Sequence, residues 1–145
     1  MTVRKILKSK GSTEILTITP DAKVSDATRI LSERSIGALI VSADGESLNG
    51  MLSERDVLRE LGKRGPGCLN DPIADLMTRR VVTASLQDTA VRALEKMTAG
   101  RFRHLPVVDD GRMVGVISIG DVVKYRIEEV VAENTALTDM IVGHG

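Results

Sequence analysis

Two stretches carry the residues best suited to chemistry: Gly50-Met-Leu-Ser53-Glu-Arg-Asp56 and Gly115-Val-Ile-Ser118-Ile-Gly-Asp121. Each sets a serine three residues ahead of an aspartate, just after a short apolar run. One reading is structural. Serine at an N-cap with an acid three residues on is a capping box, and an acid in the first turn suits the helix dipole. The other reading is a ligand site. A strand-to-helix junction offers backbone N–H groups, a preceding glycine permits close approach, and a short carboxylate accepts hydrogen bonds from two vicinal hydroxyls, as acids do on a ribose. One copy alone leaves both readings open. Recurrence at the same place in two copies adds weight to the second.

The remaining chemical inventory narrows the function classes. Cys68 is the single cysteine, and His104 and His144 are the two histidines. No disulfide within the chain, Cys-cluster zinc site or Cys/His pair at recognisable spacing follows from them. Ser53 and Ser118 have no base in their own motif, so catalysis is disfavoured. The 145 residues carry 20 basic and 20 acidic side chains, with one Phe, one Tyr and no Trp. Zero net charge argues against gripping duplex DNA through many phosphates, and few rings argue against stacking single strands. No apolar run approaches the ~18 residues of a membrane span, and the start has no signal-peptide pattern. A reducing, cytoplasmic setting is the expectation.

Positioning those residues requires a repeat. Shifted by 66 residues, Thr17 falls on Thr83, Ala27 on Ala93, Leu39 on Leu105, and Asp44-Gly45 on Asp110-Gly111. After one extra residue in the first copy, a shift of 65 sets Gly50, Ser53, Asp56 and Val57 on Gly115, Ser118, Asp121 and Val122. Each copy reads as a short β piece (Ile15 to Thr19; Val81 to Ala84) and a helix with one apolar face (Val24, Ala27, Leu31; Ala90, Ala93, Leu94, Met97). Next come a strand (Ala38 to Val41; Leu105 to Val108), an Asp-Gly turn and a second strand (Met51-Leu52; Val114 to Ile117). A helix then starts near Ser53 or Ser118. The expected fold is therefore α/β of the α+β kind: two βαββα units packed with pseudo-two-fold symmetry, with clefts between them. Expected units are 1–65, 66–128 and a C-terminal helix or tail, 129–145.

Val3 to Leu7 and Ile73 to Met77 read as lead-in helical turns, and 62–72 as a connector in which Cys68 is an incidental surface thiol. From Asp121 onward a long helix is expected. There Val123, Ile127, Val130, Asn134, Leu137 and Ile141 alternate four and three apart, a pattern open to packing on the module or to a dimer seam.

Taken together these features resemble the paired cystathionine-β-synthase (CBS) domain, or Bateman module. The resemblance runs from about Val3 to Lys124. It rests on Gly-x-x-Ser-x-x-Asp in both copies, on Phe102-Arg-His-Leu-Pro-Val-Val-Asp109, and on the Val/Ala-x-x-Ala-x-x-x-Leu/Met helices. It implies a regulatory, energy-sensing role, a homodimer of modules, and adenosine-containing ligands in the clefts: AMP, ADP, ATP, S-adenosylmethionine or NAD(H). No catalytic cofactor is implied, and the regulated partner protein is unspecified.

Carried over, Asp56 and Asp121 hold ribose hydroxyls with Ser53 and Ser118 beside them. Arg55 reaches phosphate where Gly120 has no side chain to do so. Arg103 and His104 match a phosphate-facing position whose first-copy counterpart is the uncharged Gly37-Ala38. Segments around Thr13 and from Thr78 through Arg79 to Val81 match the adenine-contacting backbone, and Ile36 and Phe102 flank the base. Ile40 stands where the second copy has Pro106, so the first strand's entry is expected to differ. His104, if it faces phosphate, is a candidate pH sensor. Uneven positive charge predicts two unequal clefts. The alternatives are a structural or nucleic-acid-associated member with degenerate sites and, less favoured, a small enzyme acting on adenine nucleotides.

Overall fold

The computed structural model describes residues 1–11 and 15–142. Thr13, one of the expected ligand contacts, lies outside the described residues.

In the first copy, helix α2 (Val24–Arg34) begins where Asp26 Oδ2 accepts the Lys23 amide, buries Val24, Ala27 and Leu31, and ends at Ser35 in the left-handed region. Its counterpart α4 (Ala90–Gly100) begins at Thr89, whose Oγ1 accepts the Arg92 amide at 3.0 Å. It buries Ala90, Ala93 and Met97 and ends at Arg101, also left-handed. Both helices therefore keep the 66-residue offset through their termination.

Strands β2 (Ala38–Val41) and β3 (Gly50–Ser53) pair antiparallel, with β1 (Thr17–Ile18) parallel to β2. Strands β4 (His104–Asp109) and β5 (Arg112–Ser118) form the second hairpin. β2 and β4 start at equivalent residues, so Ile40 in place of Pro106 leaves the strand entry unchanged. The expected β piece at Val81 to Ala84 shrinks to one parallel bridge, Ala84 with Val107; Ala84 donates to Pro106 O and accepts from Val108 N. The Asp-Gly turn is tight only in the second copy, where Asp110 and Gly111 both have positive φ. In the first copy the loop spans 42–49. Asp44 Oδ1 organises it by accepting the Ser47 and Glu46 amides, which hold its carboxyl well below the usual carboxylate range.

Helices α3 (Glu54–Arg64) and α5 (Ile119–Val142) follow β3 and β5 directly. The connector is not a loose linker. A 3-10 turn, Pro66–Asn70, packs on α2 and α3, and Arg64 ties it down through Glu60 and Asp71. Cys68 is 1% exposed, so the expectation of a surface thiol is corrected: the residue is buried within this turn.

The lead-in segments change places. Helix α1 (Val3–Lys10) buries Val3 and Ile6 in the core of the second copy, with Met97, Leu105 and Ile117. Its first turn donates to Asp88 O and Leu86 O. Reciprocally, Ile73 and Leu76 join the core of the first copy with Val24, Leu39 and Leu52, and Ile73 N donates to Ala22 O. Each copy is completed by the segment that precedes the other. Fully burying such side chains contributes on the order of 1.5–3 kcal/mol each, so the exchange joins the two copies.

Among the described residues, no helix is long and apolar enough to cross a membrane. The seam pattern on α5 does not pack on its own module: Val123, Ile127, Leu137 and Ile141 are all exposed.

Candidate functional site

The capping box forms in both copies. Asp56 Oδ2 accepts the Ser53 amide at 2.9 Å while Ser53 Oγ accepts the Asp56 amide at 3.2 Å. Asp121 and Ser118 repeat the pattern at 2.9 and 3.0 Å. The first amide of each helix is also taken: Glu54 N donates to Gly37 O, and Ile119 N to Arg103 O. The expectation of free N–H groups at these junctions is narrowed accordingly: the first and third amides of each helix already have partners, which leaves most of the work of recognition to the side chains.

The glycines serve the lead-in exchange rather than a ligand. A β-carbon at Gly50 would lie 2.7 Å from Met77 Sδ and 2.9 Å from the Thr78 carbonyl. One at Gly115 would lie 2.7 Å from Leu7 Cδ2. Close approach is needed there, as glycine allows, but by the chain itself.

A cavity of about 650 Å³ opens over the Asp56 junction, within the range of small-molecule sites. Ser53, Arg55, Asp56, Gly37, Ala38, Thr78, Val81, Arg103 and His104, all expected from sequence, line it, with Ile36 and Phe102. It is built from both copies: the β2 entry and β3–α3 junction of the first, the lead-in and β4 entry of the second. Asp56 is buried. Its Oδ2 is committed to the cap, while Oδ1 lies 3.5 Å from Arg59 Nη1 and 3.4 Å from Thr78 Oγ1. Thr78 is held by a backbone bridge to Met51, N to O in both directions at 2.8 and 2.9 Å. A β-carbon at Gly100 would overlap the Phe102 ring. Glycine there is what lets the ring fold over the end of α4.

Charge is concentrated on this cavity. Arg55, Arg59, Arg80, Arg101 and Arg103 line it against Glu54 and Asp56. The surplus of cations suits an anion. At His104 the balance of effects favours the neutral ring. Burial pushes its pKa below 6.5, Lys10 and Arg103 push the same way, and Asp121 opposes them.

Three expected residues lie elsewhere. Arg79 points away and donates to Ala74 O at 3.2 Å; its neighbour Arg80 faces the cavity instead. Ser118 and Asp121 do not line the cavity. Asp121 Oδ2 is engaged by Lys10 Nζ at 2.8 Å. Arg59 escaped the sequence reading, although its place one helical turn after Asp56 put both on one face.

The CBS-domain family model matches residues 3–63 and 73–128. The chain belongs to the CBS-domain family and has the tandem arrangement of a CBS pair. It is 36% identical over 135 residues to CBS domain-containing protein CBSX3, mitochondrial, of Arabidopsis thaliana, covering 88% of this chain and 66% of that protein. It spans only 21% of the larger relative CBSCBSPB2 of the same plant. Among solved structures, a CBS-domain protein from Agrobacterium tumefaciens superposes with a TM-score of 0.79 at 36% identity, covering 87% of this chain and 99% of that one. The CBS domain pair of protein MJ0100, solved in complex with 5′-methylthioadenosine and S-adenosyl-L-methionine, gives 0.72 at 25% identity, covering 89% and 98%.

Proposed function

We propose that this chain is a regulatory module that binds a phosphorylated adenosine compound, of the AMP, ADP, ATP or NAD(H) class, in the Asp56 cleft. The observation that carries the reading is that five arginines line one cleft together with a buried carboxylate. In this reading Asp56 Oδ1, free of the cap, accepts a ribose hydroxyl, and Thr78 assists. Ile36, Val81 and Phe102 offer apolar surface to the base. Arg55, Arg80, Arg101 and Arg103 face the phosphate. The MJ0100 pair, bound to two adenosine derivatives, supports the sugar-and-base part. The charge separates the candidates. 5′-Methylthioadenosine is uncharged and S-adenosylmethionine carries a sulfonium cation, whereas a phosphate gains charge-assisted hydrogen bonds from guanidinium groups.

Output follows from the cleft's construction. A ligand touching both copies favours the arrangement that brings those contacts together, and that differential affinity is all it can transmit. The proposed reader is a separate protein, and with adenine nucleotides as ligands the signal is energy state. We read the molecule as a non-catalytic homodimer in a reducing, cytoplasmic setting; the exposed apolar stripe of α5 supports the homodimer.

Calorimetric titration tests the site. AMP binds more tightly than adenosine or S-adenosylmethionine. Asp56→Ala weakens AMP by about 10- to 150-fold, the equivalent of a ~1.5–3 kcal/mol hydrogen bond to a charged group. Arg55→Ala and Arg103→Ala weaken AMP but spare adenosine. Equal affinity for adenosine and AMP, or indifference to Asp56→Ala, refutes the reading.

A further inference from the structure

The two junctions share one construction, yet their acids have different neighbours. At Asp56 the neighbours are Arg59, whose Nη1 stands 3.5 Å from Oδ1, and Thr78. The Thr78 backbone pairs with Met51, and its hydroxyl lies 3.4 and 3.5 Å from the two carboxylate oxygens, at the limit of hydrogen bonding. In the second copy Val116 stands where Met51 does and Asp121 where Asp56 does. There a single ammonium spans the same two points: Lys10 Nζ donates to Val116 O at 2.7 Å and to Asp121 Oδ2 at 2.8 Å. The long contacts of the hydroxyl and the guanidinium leave the Asp56 carboxylate able to take a ligand. The ammonium instead holds Asp121 in a short charge-assisted contact, on the same Oδ2 that accepts the Ser118 amide.

Lys10 is delivered by an anchored element. Val3 and Ile6 of α1 are fully buried in the second core, and Leu7 packs against Gly115. A sugar hydroxyl that displaced Lys10 from Asp121 would exchange a charged donor for a neutral one, with α1 still in place. The counterpart of Arg55 is Gly120, which supplies no compensating cation.

We infer that Lys10 determines what the second junction accepts: it holds Asp121 in the manner of a ligand's sugar, so that each chain takes one adenosine-type ligand, at Asp56. This inference rests on the sugar-binding role proposed for these acids, and the test separates the two. The test titrates AMP and adenosine into wild type, Lys10→Ala, Lys10→Gln, Lys10→Arg and the double variant Lys10→Ala/Asp121→Ala. Wild type and Lys10→Arg take one equivalent of AMP per chain. Lys10→Ala and Lys10→Gln take a second equivalent of AMP or adenosine, and the double variant loses it.

A ligand-free readout checks the ion pair itself. His104 senses both Lys10 and Asp121, so its NMR titration moves to higher pH in Lys10→Ala. No added equivalent in either neutral variant overturns the inference, as does an unmoved His104 titration. Wild type that binds nothing, with one Asp121-dependent equivalent in Lys10→Ala, removes the Asp56 reading and leaves this one standing. Two equivalents in wild type do the reverse.

Discussion

Gly50→Ala separates a glycine that clears room for the chain from one that clears room for a ligand. The added β-carbon meets Met77 Sδ at 2.7 Å, Met77 Cγ at 3.0 Å and the Thr78 carbonyl at 2.9 Å. Methionine is flexible and can turn aside. The carbonyl cannot, because it accepts the Met51 amide while Thr78 N donates back to Met51 O. Relief therefore opens that bridge, two backbone hydrogen bonds worth about 0.5–1.5 kcal/mol each. Against this, alanine in a strand regains roughly 0.5–1 kcal/mol of the entropy that glycine loses. The net expectation is a destabilisation of about 1–2 kcal/mol, consistent with overpacking costs of ~1–3 kcal/mol. Thr78 is also a wall of the cleft, so nucleotide affinity falls as well. Gly115→Ala is the control, since its β-carbon meets only the Leu7 side chain, and its cost is smaller. Urea unfolding and nucleotide titration of both variants decide the matter. A Gly50→Ala protein as stable as wild type with unchanged affinity, or a Gly115→Ala protein equally damaged, refutes the reasoning.

Further outcomes concern pH and the buried thiol. Burial pushes the Asp88 carboxyl up, but Lys96 and the Ser85 amide outweigh it. Burial likewise opposes Lys10 and the Ser118 amide at Asp121, and both carboxyls end below 3.8. Their contribution is present above that value and is lost as pH falls through the folded pKa. His104, held below 6.5, contributes fully above 6.5 and loses its contribution as pH falls through its folded pKa. All three act in one direction, so urea unfolding should show stability rising with pH through the acid range; a stability maximum below pH 4 contradicts this. Cys68, 1% exposed, should resist a thiol reagent in the native protein and react only on unfolding. Immediate stoichiometric labelling would contradict its burial. Leu105→Ala, at a fully buried site, should cost about 2–5 kcal/mol by denaturation, whereas Leu58→Ala, 70% exposed, should stay within about 0.5 kcal/mol.

Much of this architecture was legible because the repeat reports itself. The 66-residue offset, the single extra residue before Gly50 and the apolar faces of α2 and α4 gave element order and pairing. The same offset marked the two acid junctions and most of the cavity's lining. What stayed hidden depends on which copy a segment packs against. A repeat defines two units but does not say that α1 completes the second and Ile73–Leu76 the first. For that reason the glycines read as ligand clearance rather than clearance for Met77 and Leu7. Lys10 could not be paired with Asp121 before the exchange was visible. The helix-start amides looked free because their acceptors, Gly37 O and Arg103 O, come from strand entries distant in sequence. Cys68 looked exposed because turn-forming residues surround it, yet the turn folds inward.

The most direct test is a crystal structure of the full chain with AMP. The account predicts one nucleotide per chain in the Asp56 cleft, with a ribose hydroxyl on Asp56 Oδ1 and the phosphate among Arg55, Arg80 and Arg103. A nucleotide bound elsewhere, or one in this cleft with its ribose turned from Asp56, would contradict it.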